Sequence, residues 1–189
     1  MDTELTHIGI DFGSKLAGTT AVSFLLDGKI NIRQSQKKKD ADLFLKNIIE
    51  ELKPTKVFID APLSLPGVYF DNSKFSNYFY RKCDIEAKAM SPMFFGGLTA
   101  RAIKIKDKYP NIEFYETYPK KASTNILGNE YKKMKVDEIK TIFSNQKLVF
   151  SNQLLNFHQI DSVLCWIVGN NFINGIKNTI GDEEGEIYF

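Results

Sequence analysis

The chain contains no run of 18 apolar residues, so no segment reads as a membrane-spanning helix. Its first residues, Met1-Asp2-Thr3-Glu4, are acidic and polar where a signal peptide would be basic and then apolar. The expectation is a cytoplasmic protein with no membrane partner. Cysteine is scarce: Cys83 and Cys165 stand 82 positions apart, outside any Cys-x-x-Cys or Cys/His cluster, which excludes a zinc signature. In a reducing compartment they are not expected to form a disulfide. There is no internal repeat, no low-complexity tract and no linker. The 189 residues, 43% of them hydrophobic, are therefore expected to form a single domain over 1–189. A domain of this size buries roughly 70% of the surface that its unfolded chain exposes.

Four acidic residues do stand out, each at or in a short apolar stretch. Asp11 follows His7-Ile8-Gly9-Ile10, Asp60 follows Val57-Phe58-Ile59, and Glu116 follows Phe114-Tyr115. Asp161 lies inside the amphipathic stretch Leu154 to Val168. Short runs rich in Ile, Val and Phe read as strands of a buried sheet, and a carboxylate at the end of one sits at the sheet edge where ligands collect. The net charge is +2, but the 23 acidic residues less these four leave 19 against 25 Lys and Arg. The remainder thus carries +6, bunched at Lys37-Lys38-Lys39, Arg81-Lys82, Arg101/Lys104/Lys108, Lys120-Lys121 and Lys132-Lys133-Lys135. An acidic centre in a basic surround suits a metal-dependent enzyme acting on a polyanion. Lysine runs are also ordinary solvated faces, and charge alone does not separate the two.

Periodicity orders the elements. His7 to Asp11 and Thr19 to Leu26 read as strands, and Asp27-Gly28 as a two-residue turn into a third strand, Lys29 to Gln34, because both central positions of that turn require positive φ. Leu43, Phe44, Ile48 and Leu52 have helical spacing over Asp40 to Leu52, with Pro54 beyond the end. A crossover of that length predicts a fourth strand, Lys56 to Asp60, parallel to its partner. A helix over Leu98 to Tyr109 leads to a fifth strand near Ile112 to Glu116, and two further helices are expected over 132–144 and 153–174. Residues 61–97 form an aromatic-rich insertion with Tyr69, Phe70, Phe75, Tyr78, Phe79, Tyr80, Phe94 and Phe95. Connections of that length are usually functional or hide an extra helix. Its rings suit base stacking or a homodimer face equally.

The motifs carry a resemblance. Ile8-Gly9-Ile10-Asp11-Phe12-Gly13-Ser14-Lys15-Leu16-Ala17-Gly18 matches the Asp-x-Gly-x-x-x-x-Gly opening shared by Holliday-junction resolvases and actin-like kinases. It is followed in order by Val57 to Leu63, Arg81-Lys82-Cys83-Asp84, Thr99-Ala100-Arg101, Phe114 to Pro119, His158 to Asp161 and Gly181 to Ile187. Together these resemble the predicted-nuclease family designated domain of unknown function 429, distantly similar to the resolvases.

The resemblance implies an α/β, ribonuclease-H-like three-layer fold. Its five-stranded mixed sheet has strands 1–3 as an antiparallel meander, strands 4 and 5 parallel to strand 1, and helices on both faces. It further implies Asp11, Asp60 and Asp161 as ligands of Mg²⁺ or Mn²⁺ and as catalytic residues, in a one- or two-ion site, with Glu116 and His158 assisting and water as nucleophile. Lys15, Arg81, Lys82 and Arg101 are the substrate-side cations, and the substrate is DNA or RNA. Carboxylates about 4 Å apart repel by roughly 4 kcal/mol at an effective dielectric of 20, a cost that a hard cation relieves. His158 on its helix also reads as a hydrogen-bonded packing residue, and Asp84 as the ion-pair partner of Arg81. Two other classes stay open: a non-catalytic nucleic-acid-binding or regulatory protein, and half of an actin-like phosphotransferase. The second needs a duplicated fold to clamp a nucleotide.

Overall fold

The computed structural model describes residues 6–128 and 130–189; the acidic segment at residues 1–5 lies outside it. β1 (His7–Asp11), β2 (Ala21–Leu26) and β3 (Lys29–Gln34) form the antiparallel meander expected from the sequence. At the tip, Asp27 and Gly28 both take positive φ, 51° and 71°, as the two-residue turn demands. α1 (Ala41–Leu52) is capped by Asp40, whose carboxylate accepts from the backbone N–H of Asp42 and Leu43, and it ends at Lys53 in the left-handed region just before Pro54. β4 (Lys56–Asp60) then pairs parallel to β1.

The connection after β4 contains a 3₁₀ turn at Gly67–Tyr69 and two short helices, α2 (Lys82–Ala87) and α3 (Pro92–Phe95). α4 (Gly97–Lys108) leads into β5 (Glu113–Glu116), parallel to β4. α5 (Pro119–Ala122) and 3₁₀ turns at Ser123–Asn125 and Tyr131–Lys133 follow, then α6 (Val136–Asn145) and α7 (Phe157–Ile173). The helix expected from residue 132 thus begins at Val136, and Lys132 belongs to a turn instead. A hairpin of β6 (Thr179–Asp182) and β7 (Gly185–Tyr188), which periodicity did not reveal, closes the chain.

The main sheet has the order β3-β2-β1-β4-β5, with β2 antiparallel to the other four. That is the ribonuclease-H-like arrangement. One face carries α1 and α4 on Ile8, Ile10, Val22, Phe24, Val57 and Ile59. The other carries α7, with α6 outside it. Side chains alternate along a strand, so Gly9 and Asp11 of β1, and Phe58 and Asp60 of β4, face α7.

α7 comes unusually close to the sheet because Gly9 has no side chain there. A Cβ at Gly9 would collide with the backbone of Ser162 and Trp166. The contact is fixed by the Ser23 and Ser162 hydroxyls, 2.6 Å apart. It is also fixed by His7, which is stacked on Trp166 at 5.2 Å with Nε2 3.0 Å from the Trp166 carbonyl. Burial holds the His7 pKa down at about 4, so the ring is neutral and Nε2–H donates to that carbonyl.

Candidate active site

Three carboxylates face the corner where β1, β4 and α7 come together. Asp11 and Asp60 are register partners at the C-terminal ends of parallel strands, so their backbones lie about 4.8 Å apart and their side chains leave on the same face. Asp161 approaches that face from the first half of α7. Asp11 and Asp161 are buried and Asp60 is half-buried.

Each acid is held differently. His158, one turn before Asp161 on α7, donates from Nδ1 to Asp11 Oδ2 at 2.7 Å. The Tyr131 hydroxyl donates to Asp161 Oδ1 at 2.7 Å, and the Lys132 ammonium pairs with Asp161 Oδ2. The Asp60 carboxylate has no hydrogen-bond partner among the described residues.

The electrostatics follow from that arrangement. Burial, together with the charges of Asp11 and Asp161, pushes the Asp60 carboxyl well above the ordinary carboxylate range; Lys132 opposes the shift. Burial also raises Asp11, against the hydrogen bond from His158. The bond to Asp11 raises His158 in turn. Tyr131, desolvated and beside Asp161, is held above the normal phenol range, so its hydroxyl remains a donor. This corner concentrates negative charge that water does not fully solvate, and it must be neutralised by a proton or by a cation.

In kind, the set fits a hard divalent cation: its donors are carboxylate oxygens, and Asp60 has both of its oxygens uncommitted. As the side chains stand, however, no three His, Cys, Asp or Glu among the described residues converge on a common point that would hold a metal ion. Asp11 and Asp161 instead turn their oxygens toward His158, Tyr131 and Lys132.

Glu116, expected to assist there, leaves the sheet elsewhere, although its charge still reaches Asp60. It pairs in register with Ile59, and so leaves the sheet on the α1/α4 face, opposite to Asp60. There both its oxygens accept from Arg81 at 2.7 Å, and Oε2 also accepts from the Leu63 N–H at 2.9 Å. Arg81, expected to meet substrate, is 0% exposed. Its remaining hydrogen bonds go to Asp84 and Ser64, so no donor is left for a phosphate. This buried network, with Asp84 as the expected ion-pair partner, anchors the insertion. Glu184 of the terminal hairpin completes the anchor by accepting from the N–H groups of Gly67 and Lys82.

The other cations anticipated on the substrate side divide. Arg101 is committed to Asp42 and the Gly13 carbonyl, with its guanidinium 4.6 Å over the Phe12 ring, and so braces the turn after β1. Lys15 pairs with Asp40 at 3.2 Å on the surface. Lys82 is exposed, and its ammonium has no ion-pair partner among the described residues.

Sequence reasoning missed Tyr131, Lys132 as a site residue, and Tyr118. The charge of Asp60 is felt at Tyr118, whose phenol is raised first by burial and then by that carboxylate. Tyr118 also lines a cavity of about 360 Å³ with Glu86, Lys88, Lys120 and Lys121, none of whose lining residues is one of the three acids. A separate cavity of about 540 Å³ lies between Glu116 and the terminal hairpin; Asp182, Glu183 and Glu184 line it, and Asp11, Asp60 and Asp161 do not.

No family model matches the chain, and no curated protein matches it. Among solved structures, that of Thermus thermophilus RuvC aligns with a TM-score of 0.48 and 13% identity, covering 90% of this chain and 96% of that one. A likeness at this level assigns no activity, metal or substrate.

Proposed function

We propose that the protein is a metal-dependent nuclease that hydrolyses phosphodiester bonds of DNA or RNA at the corner formed by Asp11, Asp60 and Asp161, and that it belongs with the predicted nucleases its motifs resemble. The observation that carries this reading is that three carboxylates from separate elements face one corner of the sheet, with Asp60 left without a hydrogen-bond partner among the described residues. A buried cluster of like charge costs folding energy, and a protein that keeps one has a use for it.

Mg²⁺ or Mn²⁺ held by Asp11, Asp60 and Asp161 would supply charge neutralisation for the phosphate and an activated water. His158 is fixed through Nδ1 to Asp11, which leaves Nε2 as the nitrogen able to take or give a proton at the reacting oxygens. Lys120 and Lys121 beside Tyr118, and Lys82 and Lys88 of the insertion, furnish a cationic rim for the flanking phosphates. The exposed rings of Tyr78, Phe79 and Phe94 offer stacking faces for unpaired bases, or a face for a second copy of the chain.

One observation favours a second reading. The ammonium of Lys132 already neutralises Asp161, and a protein that only binds nucleic acid would need no more. The test is a panel of labelled junction, single-stranded, duplex and hybrid substrates with Mg²⁺ and Mn²⁺, run on the wild type and on Asp60→Asn. Cleavage by the wild type, lost in Asp60→Asn with binding retained, is the expected result. Binding without cleavage of any substrate by the wild type would replace hydrolase with binder.

A further inference from the structure

We propose that Lys132 is the site's own counter-ion, and that a divalent cation enters the carboxylate corner by displacing it. The inference rests on the metal-dependent reading above and adds a device that governs occupancy of that site. Its basis is the contrast between the two partners: the Asp161 side chain is 10% exposed and held in place by the Tyr131 hydroxyl, whereas the Lys132 side chain is 50% exposed. One partner is fixed in the site, and the other reaches it from the surface.

The ammonium is steered to Asp161 by two aromatic rings. It lies 5.0 Å from the ring centroid of Tyr131 and 5.0 Å from that of Phe157, so it is cradled without being buried. Lys132 sits on the 3₁₀ turn Tyr131–Lys133 and not in a long helix, so moving its side chain disturbs no regular element. Its positive charge acts on Asp11 and Asp60 as well as on Asp161. A dication and this ammonium therefore compete for the same negative charge, and both cannot hold Asp161 Oδ2.

Titration of Mn²⁺ into the full chain, followed by calorimetry and by the paramagnetic resonance of free Mn²⁺, tests the competition. Lys132→Met removes the charge and keeps the reach, and should bind Mn²⁺ about tenfold tighter or more, since charges a few ångströms apart at a partly solvated site repel strongly. Lys132→Arg keeps the charge and should stay near the wild type, which also shows whether an effect in Lys132→Met comes from charge or from misfolding. Unchanged or weaker Mn²⁺ binding in Lys132→Met, beside a wild type that binds Mn²⁺ and loses it in Asp60→Asn, overturns the competition and leaves the nuclease reading standing. No Mn²⁺ binding in either protein overturns both.

Discussion

Asp11 and Asp60 are neighbours in register on parallel strands, and both side chains leave toward α7, so two carboxylates are set side by side by the backbone itself. No rotamer change takes them to opposite faces. Burial raises both pKa values, with repulsion from Asp11 and Asp161 adding to the shift at Asp60 and repulsion from Asp161 adding to that at Asp11, which makes the corner a source of instability when its carboxylates are ionised.

Asp60→Asn should therefore stabilise the protein while abolishing turnover. For a carboxyl whose folded pKa lies above its unfolded value, the native state binds more protons in the window between the two. Stability is then lost as pH rises through that window, and without divalent cations the wild type bears that cost as Asp60 ionises. Relieving it by even about 1 kcal/mol raises Tm by about 2–4 °C in a chain of this size. Thermal melts in EDTA at pH 7 and pH 4.5 check this: the advantage of Asp60→Asn should shrink at the lower pH. A variant less stable than the wild type at pH 7 would contradict it.

Glu116 and Arg81 should behave as structural residues. Arg81→Met leaves Glu116 and Asp84 buried without their guanidinium, a loss of about 3–5 kcal/mol. Glu116→Gln should lower the denaturation midpoint while keeping turnover per folded molecule within a fewfold of the wild type. A collapse of turnover in a stably folded Glu116→Gln would return Glu116 to the catalytic group.

This division shows what the sequence made legible. Asp11 and Asp60 end apolar runs whose strand character and parallel sense follow from local pattern and crossover length, their pairing with one another follows from the fold the motifs resemble, and Asp161 lies on a helix whose spacing is plain. Arg81 is different, because an arginine followed by a lysine reads as a solvated pair. Only the arrival of Glu116 from 35 residues away and Asp84 from the next turn makes its burial affordable, and no local pattern announces that. Lys132 was visible merely as one of a basic cluster; its place at the site depends on a short turn that packs Tyr131 against α7. The terminal hairpin has strands of four residues around an acidic turn, too short for alternation to signal.

Gly9 is required for its lack of a side chain. Gly9→Ala would drive a methyl group into the backbone of α7 at Ser162 and Trp166, which cannot yield as a flexible side chain would. The expected cost is about 3 kcal/mol or more, in the range reserved for forced overpacking. Because α7 carries Asp161 and His158, any folded fraction should also show weakened Mn²⁺ binding. Chemical denaturation and Mn²⁺ titration of the same preparation measure both. A Gly9→Ala protein as stable as the wild type would mean that α7 is not seated against β1 in this way.

His7 supplies the opposite pH signature on the same interface. Its imidazole is buried and neutral with a pKa of about 4, against 6.5 in the unfolded chain. Between those values the unfolded state binds the extra proton. The contribution of His7 to stability is thus whole above pH 6.5 and falls by up to about 3 kcal/mol as pH drops to 4. His7→Gln keeps a donor for the Trp166 carbonyl but cannot take up a proton, so its stability should decline less over that interval. Urea denaturation of both proteins at pH 7, 5.5 and 4 isolates the difference from the carboxylates, which are common to the two. Parallel stability profiles would show that His7 is protonated or exposed in the native state, and that the stacking on Trp166 does not hold α7 to the sheet.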